Sequence, residues 1–143
     1  ADAGIDVRNC WLEATGQGDD HADTIQAYSP GERSSLIKVR DSAIVGHNSA
    51  ATAGLFVADN WGGTVDLKNV LFWGAPYGCR IHADTGCTVN VSLEDVYFVG
   101  PFMWGPLLIM SAVGTINITK WVTVRHATIV NGVIVPGNLI PSP

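Results

Sequence analysis

Basic charge is scarce in this chain. Lys and Arg number 8 in 143 residues, against 13 Asp and Glu, for a net charge of −5. They are scattered singly, which excludes the clustered footprint of a nucleic-acid binder and the polybasic patch of a membrane-surface protein. Long hydrophobic runs are missing too. Gly, Asn, Asp or Lys interrupts every apolar stretch, so no segment reads as a membrane span. The opening Ala1-Asp2-Ala3-Gly4 has no charged region leading into an apolar one, so a secretory signal would have been removed or would lie upstream. Cysteine is sparse. Cys10, Cys79 and Cys87 are too few for a disulfide scaffold, and their spacing is no metal signature. Cys79 and Cys87 flank one short segment and either pair or remain as two buried free thiols, the blander reading. No Gly-x-Ser-x-Gly elbow, phosphate loop or dinucleotide fingerprint appears. The two matches to the glycosylation sequon, at Asn90 and Asn117, fall in expected strands rather than loops and read as chance.

What is abundant is apolar and β-forming. Hydrophobic residues make up 47% of the chain and charged residues 15%, enough for one domain with a continuous core. Five segments share one template: Ile5–Asn9, Ile37–Asp41, Val65–Asn69, Val91–Asp95 and Ile116–Lys120. Each alternates apolar with polar at period two, as a strand buried on one face does. The first four close on Asn or Asp and the fifth on Lys120, giving spacings of 32, 28, 26 and 25 residues. Asn and Asp tolerate the left-handed backbone that a sharp bend needs, so this position marks one corner stacked coil upon coil. A second apolar stretch follows each corner, and Gly46, Gly74 and Gly100 sit five residues past Asp41, Asn69 and Asp95. A third short strand follows at Thr24–Ala27, Leu55–Ala58, Arg80–Ala83, Leu107–Met110 and Val133–Val135. Three strands per turn, five times over, predict an all-β parallel solenoid spanning 1–143 as a single domain. The 16 glycines and the β-branched content oppose a helical repeat.

With Asn9, Asp41, Asn69 and Asp95 at one corner of a three-strand coil, the chain resembles the pectate-lyase-like superfamily of right-handed parallel β-helices. The resemblance implies a fold and leaves the reaction open. No amphipathic capping helix precedes Ile5, so the first coil is expected to be covered, by a second copy in a homo-oligomer or by the remainder of a longer parent chain. The tail 136–143 carries prolines that cannot donate ladder hydrogen bonds and so would stop further stacking.

Chemistry concentrates in two places. Gly18–Gln26 gathers Asp19, Asp20, His21 and Asp23, a set suited to general acid–base work or to an oxygen-ligated cation such as calcium. Its His-x-Asp-x-Ile-Gln core looks like a segment of several bacterial β-helix proteins. The second place is Arg80, His82 and Asp84. With Ile81 and Ala83 facing inward, alternation turns all three outward. Thr24, Gln26 and Tyr28 extend that strip, while the next coils offer Phe56, Ala58 and Asn60, then Leu108, Met110 and Ala112. The expected catalytic set is Asp20, His21, Asp23, Arg80, His82 and Asp84, with Arg80 neutralising charge on a sugar. Gln26, Tyr28, Trp61 and Trp104 are the expected substrate contacts, the two tryptophans lying in loops as stacking platforms. No metal site is assigned. The resemblance implies an extracellular or cell-surface protein that binds, and as a lyase or hydrolase would cleave, an acidic or neutral polysaccharide. The alternative is a non-catalytic structural or adhesive module. Aligned outward carboxylates would favour the first and a flat apolar strip the second.

Overall fold

The computed structural model describes residues 4–28, 35–111 and 113–143, and among them there is no helix. Ala1–Ala3 and Ala112 lie outside the described residues. The strands are β1 (Ile5–Arg8), β2 (Trp11–Ala14), β3 (Ile25–Ala27), β4 (Ser35–Gly46), β5 (Ala53–Val57), β6 (Gly63–Gly74), β7 (Tyr77–His82), β8 (Thr88–Val99), β9 (Gly105–Met110), β10 (Thr115–Val130) and β11 (Val133–Leu139). One sheet runs β1-β4-β6-β8-β10-β11 with β2 also on β4, and a four-stranded sheet runs β3-β5-β7-β9. Every pair is parallel except β10 with β11. The fold is a parallel β-solenoid of about four coils.

Period two explains the core. Ile37, Val39, Val65, Leu67, Val91 and Leu93 are at most 3% exposed, and they stack in register because Ile37 faces Val65, which faces Val91. Beyond the corner, Ile44, Phe72 and Phe98 form the next inward column, with the Phe72 and Phe98 rings stacked at 5.1 Å and 8°. On the other sheet Leu55, Cys79, Val57 and Ile81 fill the interior at 0% exposure. Each such large side chain contributes roughly 1.5–3 kcal/mol by leaving water. Among the described residues no helix is long and apolar enough to cross a membrane.

The corner is where the alternation predicts it. Asn9, Asp41, Asn69 and Asp95 have φ of 52°, 50°, 52° and 53°. The flanking pairs Arg8 with Arg40, Arg40 with Lys68, and Lys68 with Glu94 hold them in one register. The bend is tight enough that β4, β6 and β8 each run through it as one long strand.

The last coil departs from the expectation in two ways. Its corner is Thr123, at φ 53°, and not Lys120. Ile118 pairs with Val91 but Lys120 pairs with Ser92, so Thr119 is an extra, bulged residue. That insertion shifts Trp121 to the position facing Leu93, before the corner. Second, Val133–Val135 is not a fifth third-strand. Asn131 and Gly132, at φ 50° and 77°, turn the chain back on itself, and β11 pairs antiparallel with β10 from Val130–Val133 onward. Two consecutive left-handed residues are the signature of the two-residue hairpin turn that Asn-Gly favours. The tail accordingly continues as strand through Leu139, and the count of five coils falls to about four.

Candidate functional site

The loop entering β3 is zipped onto the next coil. Ala22 forms a parallel bridge with Ala51, the Thr52 amide donates to the Ala22 carbonyl at 3.1 Å, and the Thr24 amide donates to the Ala53 carbonyl at 3.2 Å. Its tip is closed by Asp20, whose Oδ2 accepts the Gln17 amide at 3.1 Å while Gly18 takes the left-handed turn at φ 60°. These bonds fix the acidic cluster relative to the third-strand face.

On that face Gln26, Phe56 and Arg80 stand in one column, because Gln26 pairs with Phe56 and Phe56 with Arg80. The Arg80 guanidinium lies 5.0 Å from the Phe56 ring centre and 5.9 Å from that of Tyr77. Its Nε is buried without a hydrogen-bond partner. Tyr77 in turn packs against Trp104, ring centres 5.3 Å apart. The result is a cleft of about 760 Å³ whose walls include Asp19, Asp20, His21, Asp23, Gln26, Asp59, Arg80 and Trp104. The loop cluster and Arg80, far apart in sequence, thus border one space.

Asp23 is the most perturbed of these groups. It is half-buried, and desolvation raises its carboxyl from 3.8 to about 6. The Ala53 amide at 2.8 Å and the charges of His21 and Arg80 pull the other way without cancelling it. A carboxyl in this range holds a proton in mildly acidic solution and releases it near neutrality, as acid–base work requires. His21 faces Thr52, with Nδ1 3.4 Å from its hydroxyl.

The other sequence candidates sit elsewhere. Ile81 and Ala83 are fully buried, so Arg80, His82 and Asp84 do alternate outward. His82 and Asp84 do not line the cleft, however. His82 Nε2 lies 3.7 Å from Asp84 Oδ1, and Asp84 Oδ2 accepts the Asn60 amide at 2.8 Å, which ties it to the Asp59–Asn60 turn. Ala58, expected outward, is buried at 6% exposure. Trp104 is 58% exposed, but Trp61 is only 4% exposed and belongs to the core. Trp61 and Tyr28 border a smaller groove of about 210 Å³ beside the first coil. The three cysteines are free, with Cys79 and Cys87 buried and Cys10 exposed. Among the described residues no three His, Cys, Asp or Glu side chains converge to hold a metal ion, so the calcium expectation finds no ligand set there.

Asp59 is absent from the sequence-expected site, and Phe56 enters there only as an outward residue of the next coil. The column explains Phe56, since a residue between Gln26 and Arg80 in the ladder must touch Arg80. Asp59 gave no signal beyond an acidic turn. No family model, curated protein or solved structure matches the chain.

Proposed function

We propose that the chain is a carbohydrate-binding β-solenoid of the cell exterior whose cleft takes a neutral polysaccharide, with Asp23 as the group that carries acid–base chemistry. The observation behind this reading is the cleft itself, where carboxylates, one guanidinium and an exposed indole border a single space. Carboxylates and Arg80 can accept from and donate to sugar hydroxyls, and Trp104 offers a face to a pyranose ring. Charge selects among polysaccharides. Even without Asp23, the carboxylates of Asp19, Asp20 and Asp59 outnumber Arg80, so a polyanionic chain is repelled and a neutral one is not. Arg80 is held against Phe56, which fixes its guanidinium at the wall of the cleft.

The test is titration calorimetry with soluble xylan, mixed-linkage β-glucan and galactomannan beside polygalacturonate, followed by chromatography of any products. Binding to a neutral polymer, weakened in Arg80→Ala and with any cleavage lost in Asp23→Asn, supports the reading. Equal binding by wild type and Arg80→Ala, or a preference for polygalacturonate, overturns it. A structural module is the second reading, favoured by β11, where Val133, Ile134, Val135 and Leu139 are all exposed. Sedimentation showing a concentration-dependent oligomer that Ile134→Asp disperses would favour it.

A further inference from the structure

A second cleft, of about 660 Å³, lies next to the polar one and is walled chiefly by apolar groups, among them Trp11, Trp73, Phe102 and Met103. Its floor is close-packed backbone. A Cβ on Gly46 would come within 2.3 Å of the Ala75 Cβ, and Gly74 adopts φ 72° beside it. Trp11 and Trp73 meet edge to face, ring centres 6.1 Å apart at 85°. Trp11 is 55% exposed yet held in place, since its Nε1 donates to Glu13 Oε2 at 2.7 Å and that same oxygen lies 3.0 Å from His47 Nε2. An exposed indole bonded to Glu13, which His47 contacts in turn, presents one apolar face with hydrogen-bonding groups at its rim.

The two clefts adjoin. Ser49 lines both, and the consecutive residues Met103 and Trp104 line one each. The ridge between them is pinned by Asn48, whose Oδ1 accepts the Gly16 amide at 3.1 Å while its Nδ2 donates to the Gly16 carbonyl at 2.7 Å.

We propose that the two clefts form one track for an extended neutral saccharide chain, in which Trp11 and Trp73 stack on sugar rings beyond those held in the polar cleft. This rests on the reading of the polar cleft as a saccharide site. A sugar ring has an apolar face and a hydroxylated rim, which matches an indole bordered by Glu13 and His47. A compact ligand would occupy one cleft only; a polymer passes over Ser49 into both.

The experiment is calorimetry with xylo-oligosaccharides and gluco-oligosaccharides of two and six sugars, on wild type and on Trp11→Ala, Ser49→Trp and Arg80→Ala, with thermal melts to establish that each variant is folded. In one of the two series the six-sugar chain should bind wild type roughly ten-fold more tightly than the two-sugar chain, and Trp11→Ala should remove most of that gain, as loss of one stacking contact implies. Ser49→Trp, at the point where the clefts meet, should weaken the longer chain more than the shorter. Equal affinity for both lengths overturns the track. So does an unchanged Trp11→Ala alongside a weakened Arg80→Ala, which leaves the polar cleft as the saccharide site. Loss in Trp11→Ala with Arg80→Ala unchanged also overturns a single track. Binding of neither series overturns the track together with the reading beneath it.

Discussion

Asn69 Nδ2 donates to Asp41 Oδ1 at 2.7 Å, joining two successive coils at the corner where both residues hold a left-handed backbone. The bond links what the sequence repeats to what the fold requires. A side chain with a β-carbon costs roughly 1–2 kcal/mol in this backbone region unless it is Asn or Asp, which bond locally to offset it. Asn69→Ala should therefore lower stability by about 1.5–3.5 kcal/mol, counting both the backbone and the lost bond. Asn69→Gly should cost less, since it loses the bond but not the conformation. Urea midpoints at constant slope measure both; an Asn69→Gly as damaging as Asn69→Ala would contradict this role for the corner.

Asp23 makes a pH-dependent contribution of opposite sign to that of an ordinary paired carboxylate. Its folded value near 6 lies above its usual 3.8. Between those pH values the folded chain keeps a proton that the unfolded chain has released, so this group's share of stability is greatest below about pH 4 and falls as pH rises to 6. A ten-fold difference in proton affinity between the folded and unfolded chain is worth about 1.4 kcal/mol. Half exposure to solvent cuts the whole effect to about 1 kcal/mol. Asp23→Asn should thus gain on wild type by about that much as pH rises from 4 to 6.5, then run parallel. Urea unfolding of both proteins at four pH values tests this, and a difference constant with pH would refute it.

The thiols should divide one to two. Burial pushes the Cys79 thiol well up from its ordinary value, and Cys87 is buried beside the Thr85–Gly86 turn, whereas Cys10 is exposed. A thiol-reactive disulfide reagent should label Cys10 quickly in the native protein and reach the other two only on unfolding. Rapid labelling of Cys79 would mean that the interior of that sheet opens far more readily than its packing implies.

The solenoid was legible because its physics repeats: one apolar face per strand and one bend per turn leave a mark in every coil. Where a coil breaks the rule, the pattern misleads. At the last corner Thr123 replaces Asn or Asp, and the bulge at Thr119 makes Lys120 look like the closing residue. Val133–Val135 alternates too little to reveal its direction, although Asn131-Gly132 just before it carried the hairpin signal. The cleft was half legible. Coil stacking foretold that Gln26 and Arg80 share a face, and the acidic loop was plain, but which loop residues border Arg80 depends on backbone bonds such as Thr52 to Ala22. Trp61 shows the same limit. A tryptophan in a loop next to glycine can turn outward or into the core, and here it turns inward at 4% exposure.

Amide chemical-shift mapping of the whole chain, titrated with a soluble neutral oligosaccharide of six sugars, puts the proposed saccharide cleft to its sharpest test. Saturable shifts should cluster at Asp19–Gln26, Ser49–Thr52, Arg80 and Trp104, the residues that border the polar cleft, and extend to Trp11 and Trp73. The hairpin of β10 and β11 should stay silent. Shifts confined to that hairpin or to the first coil's edge, or no saturable shift with any neutral saccharide, would contradict the assignment of the cleft to a saccharide.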